Sequence, residues 1–261
     1  MITVKNDGDL GNQMFQYSFL RCHAEKNSLP WEFYDHWINN FKYNEAFKDI
    51  FKLFNLENKD IDSTRPVETI SISDTFQEIQ PQDNIIYKGW FQSEKYFKNN
   101  KDNIRNWFTP RQEFLNDAQS YIKKFTDNNC SIDEICAIHY RGTSYRRLGW
   151  DIPYEWYERA INEILSIKDI KKFIIFTDDV PHCTKLWGKK YEIINNDRLL
   201  DYSILFQFKN FIISPSSFSF WPAWLQGEMV IAPQFWFGHS EKRWKPTPDI
   251  RVDDKKWRYI L

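Results

Sequence analysis

The chain has 261 residues, 42% of them hydrophobic and 27% charged, and a formal net charge of −1. That length supplies core enough for one large domain or two small ones, and the near-neutral charge excludes a generic nucleic-acid binder, whose footprint is strongly basic. No stretch approaches the ~20 apolar residues that span a bilayer.

In chain order, residues 2–4 read as a short strand, followed by the turn Asp7-Gly8-Asp9 and a helix from Gly11 to Lys26. The leading MITVKNDGDLGNQ lacks the apolar stretch of a signal peptide, so a cytoplasmic protein is expected. Cys22, Cys130, Cys136 and Cys183 form no CxxC pair, which favours free thiols over disulfides or a zinc site. Strand candidates follow at 31–34 and 84–88, with an irregular stretch at 35–80. Thr109-Pro110-Arg111-Gln112 offers a capping hydroxyl, a proline at the first helical position and a glutamine three residues after the cap. Phe114, Ala118, Tyr121, Ile122 and Phe125 continue from there at helical spacing.

Beyond 127–131, strands and helices alternate. Residues 135–140 read as strand and 154–167 as helix, and 172–176, 191–194, 211–213 and 229–232 are short apolar strands. Repeated β-α units of this kind imply a parallel sheet covered on both faces. The class is therefore α/β with a Rossmann-like C-terminal half. The boundary is expected between 128 and 129, giving domains 1–128 and 129–261.

Functional side chains of such sheets collect at the carboxyl ends of the strands. The 135–140 strand ends in His139-Tyr140-Arg141-Gly142, and alternation places His139 and Arg141 on one side. A guanidinium fork matches two phosphate oxygens and stays charged at any working pH. The 172–176 strand ends in Asp178 and Asp179, which suit a divalent metal or the cap of the next helix. Asp201 suits the amide face of a nucleobase or its own helix N-terminus. After the 211–213 strand, Ser214, Ser216, Ser217 and Ser219 precede a helix starting near Phe218, where free N–H groups and hydroxyls converge. Gly8 to Gln13 is a glycine-bearing turn into a helix, suited to phosphate or a close backbone approach. The aromatic share of 18%, with 12 Trp, fits either a sugar-binding face or a large core.

Together these segments resemble the family 11 glycosyltransferases, the α-1,2-fucosyltransferases. The family's GxLGNQxFQYA-type opening is matched by GDLGNQMFQYSFL at 8–20, and its GYWQSEKYF-like segment by Lys88-Gly89-Trp90-Phe91-Gln92-Ser93-Glu94-Lys95-Tyr96-Phe97. Its NSSFSWWAAWL-like segment is matched by SPSSFSFWPAWL at 214–225, and its SDD…W by Thr177-Asp178-Asp179 with Trp187. One departure stands out: where the family reads HxRRGDY, this chain reads His139-Tyr140-Arg141-Gly142-Thr143-Ser144-Tyr145. The second arginine and the acid are lost, which implies a weaker diphosphate clamp or another donor, unless Arg146 and Arg147 replace the charge.

The resemblance implies a GT-B-like fold, two Rossmann-like halves with a donor cleft between them, the first on the acceptor side and the second binding the nucleotide sugar. It implies an inverting, metal-independent transferase, most simply one moving L-fucose from GDP-fucose onto a galactose 2-hydroxyl of a glycan or lipid-linked oligosaccharide. No cofactor is expected. His139, Arg141, Asp178, Ser216, Ser217 and Phe218 would hold ribose, base and diphosphate, Asp201 would read guanine, and Gly11 and Asn12 would approach the diphosphate. Arg141 would be catalytic, with Asp9 or Glu94 as base, and Trp90 and Gln92 would meet the acceptor. Two other readings remain open at this stage: a metal-dependent transferase using Asp178 and Asp179, and a sugar-binding protein without catalysis. The cation–aromatic runs 242–245 and 255–259 suit either peripheral contact with an anionic membrane or packing on the core.

Overall fold

The computed structural model describes residues 1–33, 48–58, 68–236 and 249–261. Two compact units divide the chain, the first built on Met1–Pro110 and joined again by residues 249–251, the second beginning at Arg111 and ending with Val252–Leu261. The boundary thus falls eighteen residues before the expected one. The reason is the helix Gln112–Ile122, which packs against the helix Arg198–Leu205 of the second unit.

The first unit holds a three-stranded parallel sheet in the order β1 (Ile2–Val4), β3 (Ile85–Lys88), β2 (Glu68–Ser71). Of the strand expected at 31–34, the described residues keep a single parallel bridge from Trp31 to Ile2. The helix Leu10–Asn27 is buried on nearly every side, so even its polar Gln13, Gln16 and Ser18 are internal. They bond to the backbone: Gln13 donates to the Gly8 carbonyl, Gln16 accepts from Asp7 N and donates to the Gly89 carbonyl, and the Ser18 hydroxyl donates to the Met14 carbonyl. The motif of the opening segment is therefore also a local brace.

The second unit carries six parallel strands in the order β6 (Glu192–Ile194), β5 (Lys172–Thr177), β4 (Ile135–Tyr140), β7 (Asn210–Ile212), β8 (Met229–Pro233), β9 (Trp257–Ile260). The chain winds outward from β4 through β5 to β6, then returns to the other side of β4 to begin β7. The strand order therefore switches between β4 and β7. Crevices at such switch points, outside the carboxyl ends of the strands, are where open α/β sheets bind ligands.

Most tryptophans are core. Trp31, Trp107, Trp156, Trp187, Trp221, Trp224, Trp236 and Trp257 are buried, whereas Trp90 is half-buried and Trp150 exposed. For tryptophan, the reading as a sugar face thus narrows, among the described residues, to those two. The 255–259 run is the edge strand β9, with Trp257 buried and Arg258 paired to Glu163, so packing on the core accounts for it. The 242–245 run lies outside the described residues. Thr109 does not cap a helix: its hydroxyl bonds back to the Arg105 carbonyl, and the next helix starts at Gln112 after Arg111.

Candidate functional site

The switch point of the second unit is lined by the ends of β4, β5 and β7. His139 is buried, and its Nδ1 shares a 2.7 Å hydrogen bond with the Ser214 hydroxyl. Burial pushes its pKa down to about 3, assisted by the nearby Arg141 charge and opposed by Asp178, so the ring is neutral at ordinary pH. The Phe218 ring lies 5.8 Å from the imidazole and packs edge-on to Tyr202 at 6.0 Å.

Arg141, half-buried just past β4, forms a 3.0 Å ion pair with Asp178 Oδ2. Burial raises the Asp178 pKa, but the Gly142 N–H, Arg141 and the Thr143 hydroxyl together hold it below the usual carboxylate value. Asp178 is thus a permanent counter-ion that fixes one side of the guanidinium. Asp179 caps the helix Val180–Trp187 by accepting from His182 N, and it also pairs with Arg146, whose guanidinium reaches His182 as well. Each acid of the pair already carries a guanidinium partner. Arg146 is correspondingly committed to Asp179, and Arg147 is exposed.

Gly142 explains the departure in the central motif. A Cβ there would meet Asp179 Cβ at 2.6 Å and Tyr140 Cε1 at 2.9 Å. No side chain fits, so an arginine cannot occupy this position with the loops as they stand.

The helix Ser217–Gln226 begins at the same edge. Ser216 is its N-cap, its hydroxyl accepting from Phe218 N at 3.3 Å, while the amides of Ser217 and Ser219 have no backbone partner among the described residues. Such a helix start is an anion site by construction, because orphan N–H groups and the helix dipole point the same way. Ser217 is half-exposed there. Asp201 sits in the first turn of Arg198–Leu205, buried, with its two oxygens accepting from the backbone N and the side chain of Asn196. Burial raises its pKa to about 6.

In the first unit, Asp9 is exposed at the start of Leu10–Asn27 and makes no capping hydrogen bond with its side chain. Gly11 is buried behind it. Gln92 Nε2 donates to Asn12 Oδ1 at 2.9 Å, joining the opening motif to the 88–97 segment. Phe91 adopts a left-handed φ of 53°, and its ring stacks on Phe19 at 3.9 Å. Glu94 is buried in a short 3-10 turn.

The sequence brought His139, Arg141, Asp178, Ser216 and Phe218 to one sheet edge, and the structure places them there. It did not single out Ser214 as the partner of His139. The signal was the adjacency of β4 and β7, whose register sets Ile138 beside Ile212 and so brings the two strand ends together. Nor did it see that Gln92 faces Asn12.

Comparison with known proteins decides the lineage. The model of glycosyl transferase family 11 matches residues 1–238. The chain belongs to glycosyl transferase family 11. It is 26% identical over 171 residues to the O-antigen biosynthesis glycosyltransferase WbnK of Escherichia coli, covering 59% of this chain and 55% of that protein. It is 24% identical over 183 residues to an alpha-1,2-colitosyltransferase of Escherichia coli, covering 65% of this chain and 63% of that one. The matches thus span less than two thirds of either relative. Among solved structures, the fucosyltransferase NodZ from Bradyrhizobium superposes with a TM-score of 0.58 at 14% identity, over 88% of this chain and 94% of that one. That likeness establishes the fold of this family 11 chain as the GT-B-like α/β type.

Proposed function

We propose that this chain transfers a 6-deoxyhexose, L-fucose in the simplest case, from a guanosine-diphosphate sugar to a glycan hydroxyl. The observation that carries the proposal is Arg141 at the switch point. It is held by Asp178 on one side and is still one-third exposed, on the sheet edge where the Ser217 helix begins. The relatives are a colitosyltransferase and an O-antigen transferase, and NodZ has been solved soaked with GDP-fucose.

Displacement at the anomeric carbon builds negative charge on the departing diphosphate. A guanidinium and helix-terminal N–H groups already in place stabilise that charge without reorganising, and losing one such donor costs ~10²–10³ in rate. This route needs no metal and no cofactor. Asp178 and Asp179, neutralised by Arg141 and Arg146, serve on this reading as counter-ions rather than ligands. Asp201 is the candidate reader of guanine. Asp9, exposed and uncapped, is the preferred base for the acceptor hydroxyl, ahead of buried Glu94, and Trp90 offers an aromatic face to the acceptor sugar.

The test is transfer of labelled fucose from GDP-fucose to a panel of galactose-terminated and O-antigen-type oligosaccharides, in EDTA. Folded Arg141→Ala is expected to lose at least 100-fold in kcat. Near-normal turnover by that variant would refute the leaving-group role, and activity abolished by EDTA would restore the metal-dependent reading.

A further inference from the structure

We infer that Gln92 is a positioning residue that fixes the side-chain amide of Asn12, so that its N–H₂ group faces the Gly8 turn as a donor to an anionic oxygen of the nucleotide. The inference deepens the function proposed above and rests on it, together with the approach of Asn12 to the donor's diphosphate that the family resemblance implies.

Three features of the first unit converge on that amide. Gly8 has a φ of +76°, and a Cβ built on it would lie 2.4 Å from Asn12 Nδ2. Asn12 therefore lies directly against the turn, where an added Cβ would displace its amide. Gln92 Nε2 donates to Asn12 Oδ1 at 2.9 Å. An amide has one accepting and one donating end; with the oxygen taken by Gln92, the nitrogen is the end lying against Gly8. Finally, Gln92 is delivered by Phe91, a buried residue held left-handed between the stacked ring of Phe19 and the close-packed Gly89, whose Cβ position lies 3.2 Å from the Phe91 ring. A non-glycine residue persists in that conformation only where its surroundings over-determine it.

This differs from an acceptor-binding role. Gln92 is only 7% exposed, and one of the two N–H groups of its amide is committed to Asn12. Gln92→Leu removes the donor, and Gln92→Glu replaces it with an acceptor that turns the Asn12 amide over.

Calorimetric titration of GDP into the whole chain tests the coupling. Asn12→Ala and Gln92→Leu are each expected to weaken GDP binding about tenfold, with the double variant no weaker than either, because both remove one interaction. Gln92→Glu, nearly isosteric, carries the same expectation if the leucine variant does not fold. Unchanged GDP affinity in a folded Gln92 variant, or losses that multiply in the double variant, would overturn the inference while leaving the donor reading intact. A wild-type chain that binds no GDP overturns both.

Discussion

His139 ends a buried strand, and its chemistry follows from where it stops. Neutral imidazole offers one donor and one acceptor nitrogen; Ser214 takes Nδ1, and Nε2 has no protein partner among the described residues. A ring whose pKa burial lowers to about 3 does not titrate near neutrality as a general base would, so on the function proposed above it serves as a neutral hydrogen-bonding group. The linkage has a definite sign. In the unfolded chain histidine takes up a proton below about pH 6.5, whereas the folded ring resists it until about pH 3, so the unfolded state binds more protons between those values and stability falls as pH falls. The slope from this one group approaches ~1.4 kcal/mol per pH unit inside that window. Thermal melts of wild type and His139→Asn from pH 7 to pH 4 should converge in stability toward acid, as the wild type alone loses this contribution. Parallel curves would show that the ring is charged in the fold. Alternation in the strand made His139 and Arg141 legible as a pair, but no local pattern announces that a histidine faces a serine 75 positions away. That contact exists only once β7 is known to lie beside β4.

At the scale of elements, legibility tracked how much of the local free energy lay in the apolar run itself. β4, β5, β7 and β8 are fully or nearly buried, so their sequences are mainly apolar, with polar residues only toward the strand ends. β2 is a largely exposed edge written mostly in polar residues, β9 is an edge strand of four residues interrupted by Arg258, and neither was expected as a strand. The short helix Thr143–Leu148 was also missed, since it has no buried face to impose a period. Its N-cap is Gly142, which lies against Asp179 and Tyr140. Gly142→Ala forces its methyl group to within 2.6 Å of Asp179 Cβ unless one loop moves, and overpacking of this kind costs ~1–3 kcal/mol. The strain falls on the segment that orients both Arg141 and Asp178. Urea titration should therefore show reduced stability, and GDP affinity should fall beyond what a surface substitution such as Lys168→Ala produces. A variant with unchanged stability and affinity would show that the loops yield freely.

Across the whole molecule, periodicity and turn chemistry made the alternation of strands and helices readable, yet the division into units came out differently. A helix at 112–122 lies between Pro110 and the polar break at 127–131, and its packing on Arg198–Leu205 assigns it to the second unit. Donor recognition is where this organisation meets function. The second unit carries the arginine, the free helix N–H groups and Asp201. A ligand that binds only the folded chain raises its stability by RT ln(1 + [L]/Kd), or ~2.7 kcal/mol at one hundred times Kd. For a unit of this size that corresponds to a rise in melting temperature of ~5–10 °C. GDP should produce such a rise. Inorganic pyrophosphate should give a smaller one, through the Arg141 and Ser217 end of the site alone. UDP, CMP and dTDP should not exceed pyrophosphate if Asp201 supplies the base contact as proposed, because a buried carboxylate matches the two-donor edge of guanine better than the carbonyl-rich edge of uracil or thymine. Equal shifts for GDP and UDP would leave the phosphate clamp standing but remove Asp201 from base recognition, and the loss of the second arginine would then point to a donor carrying a different base.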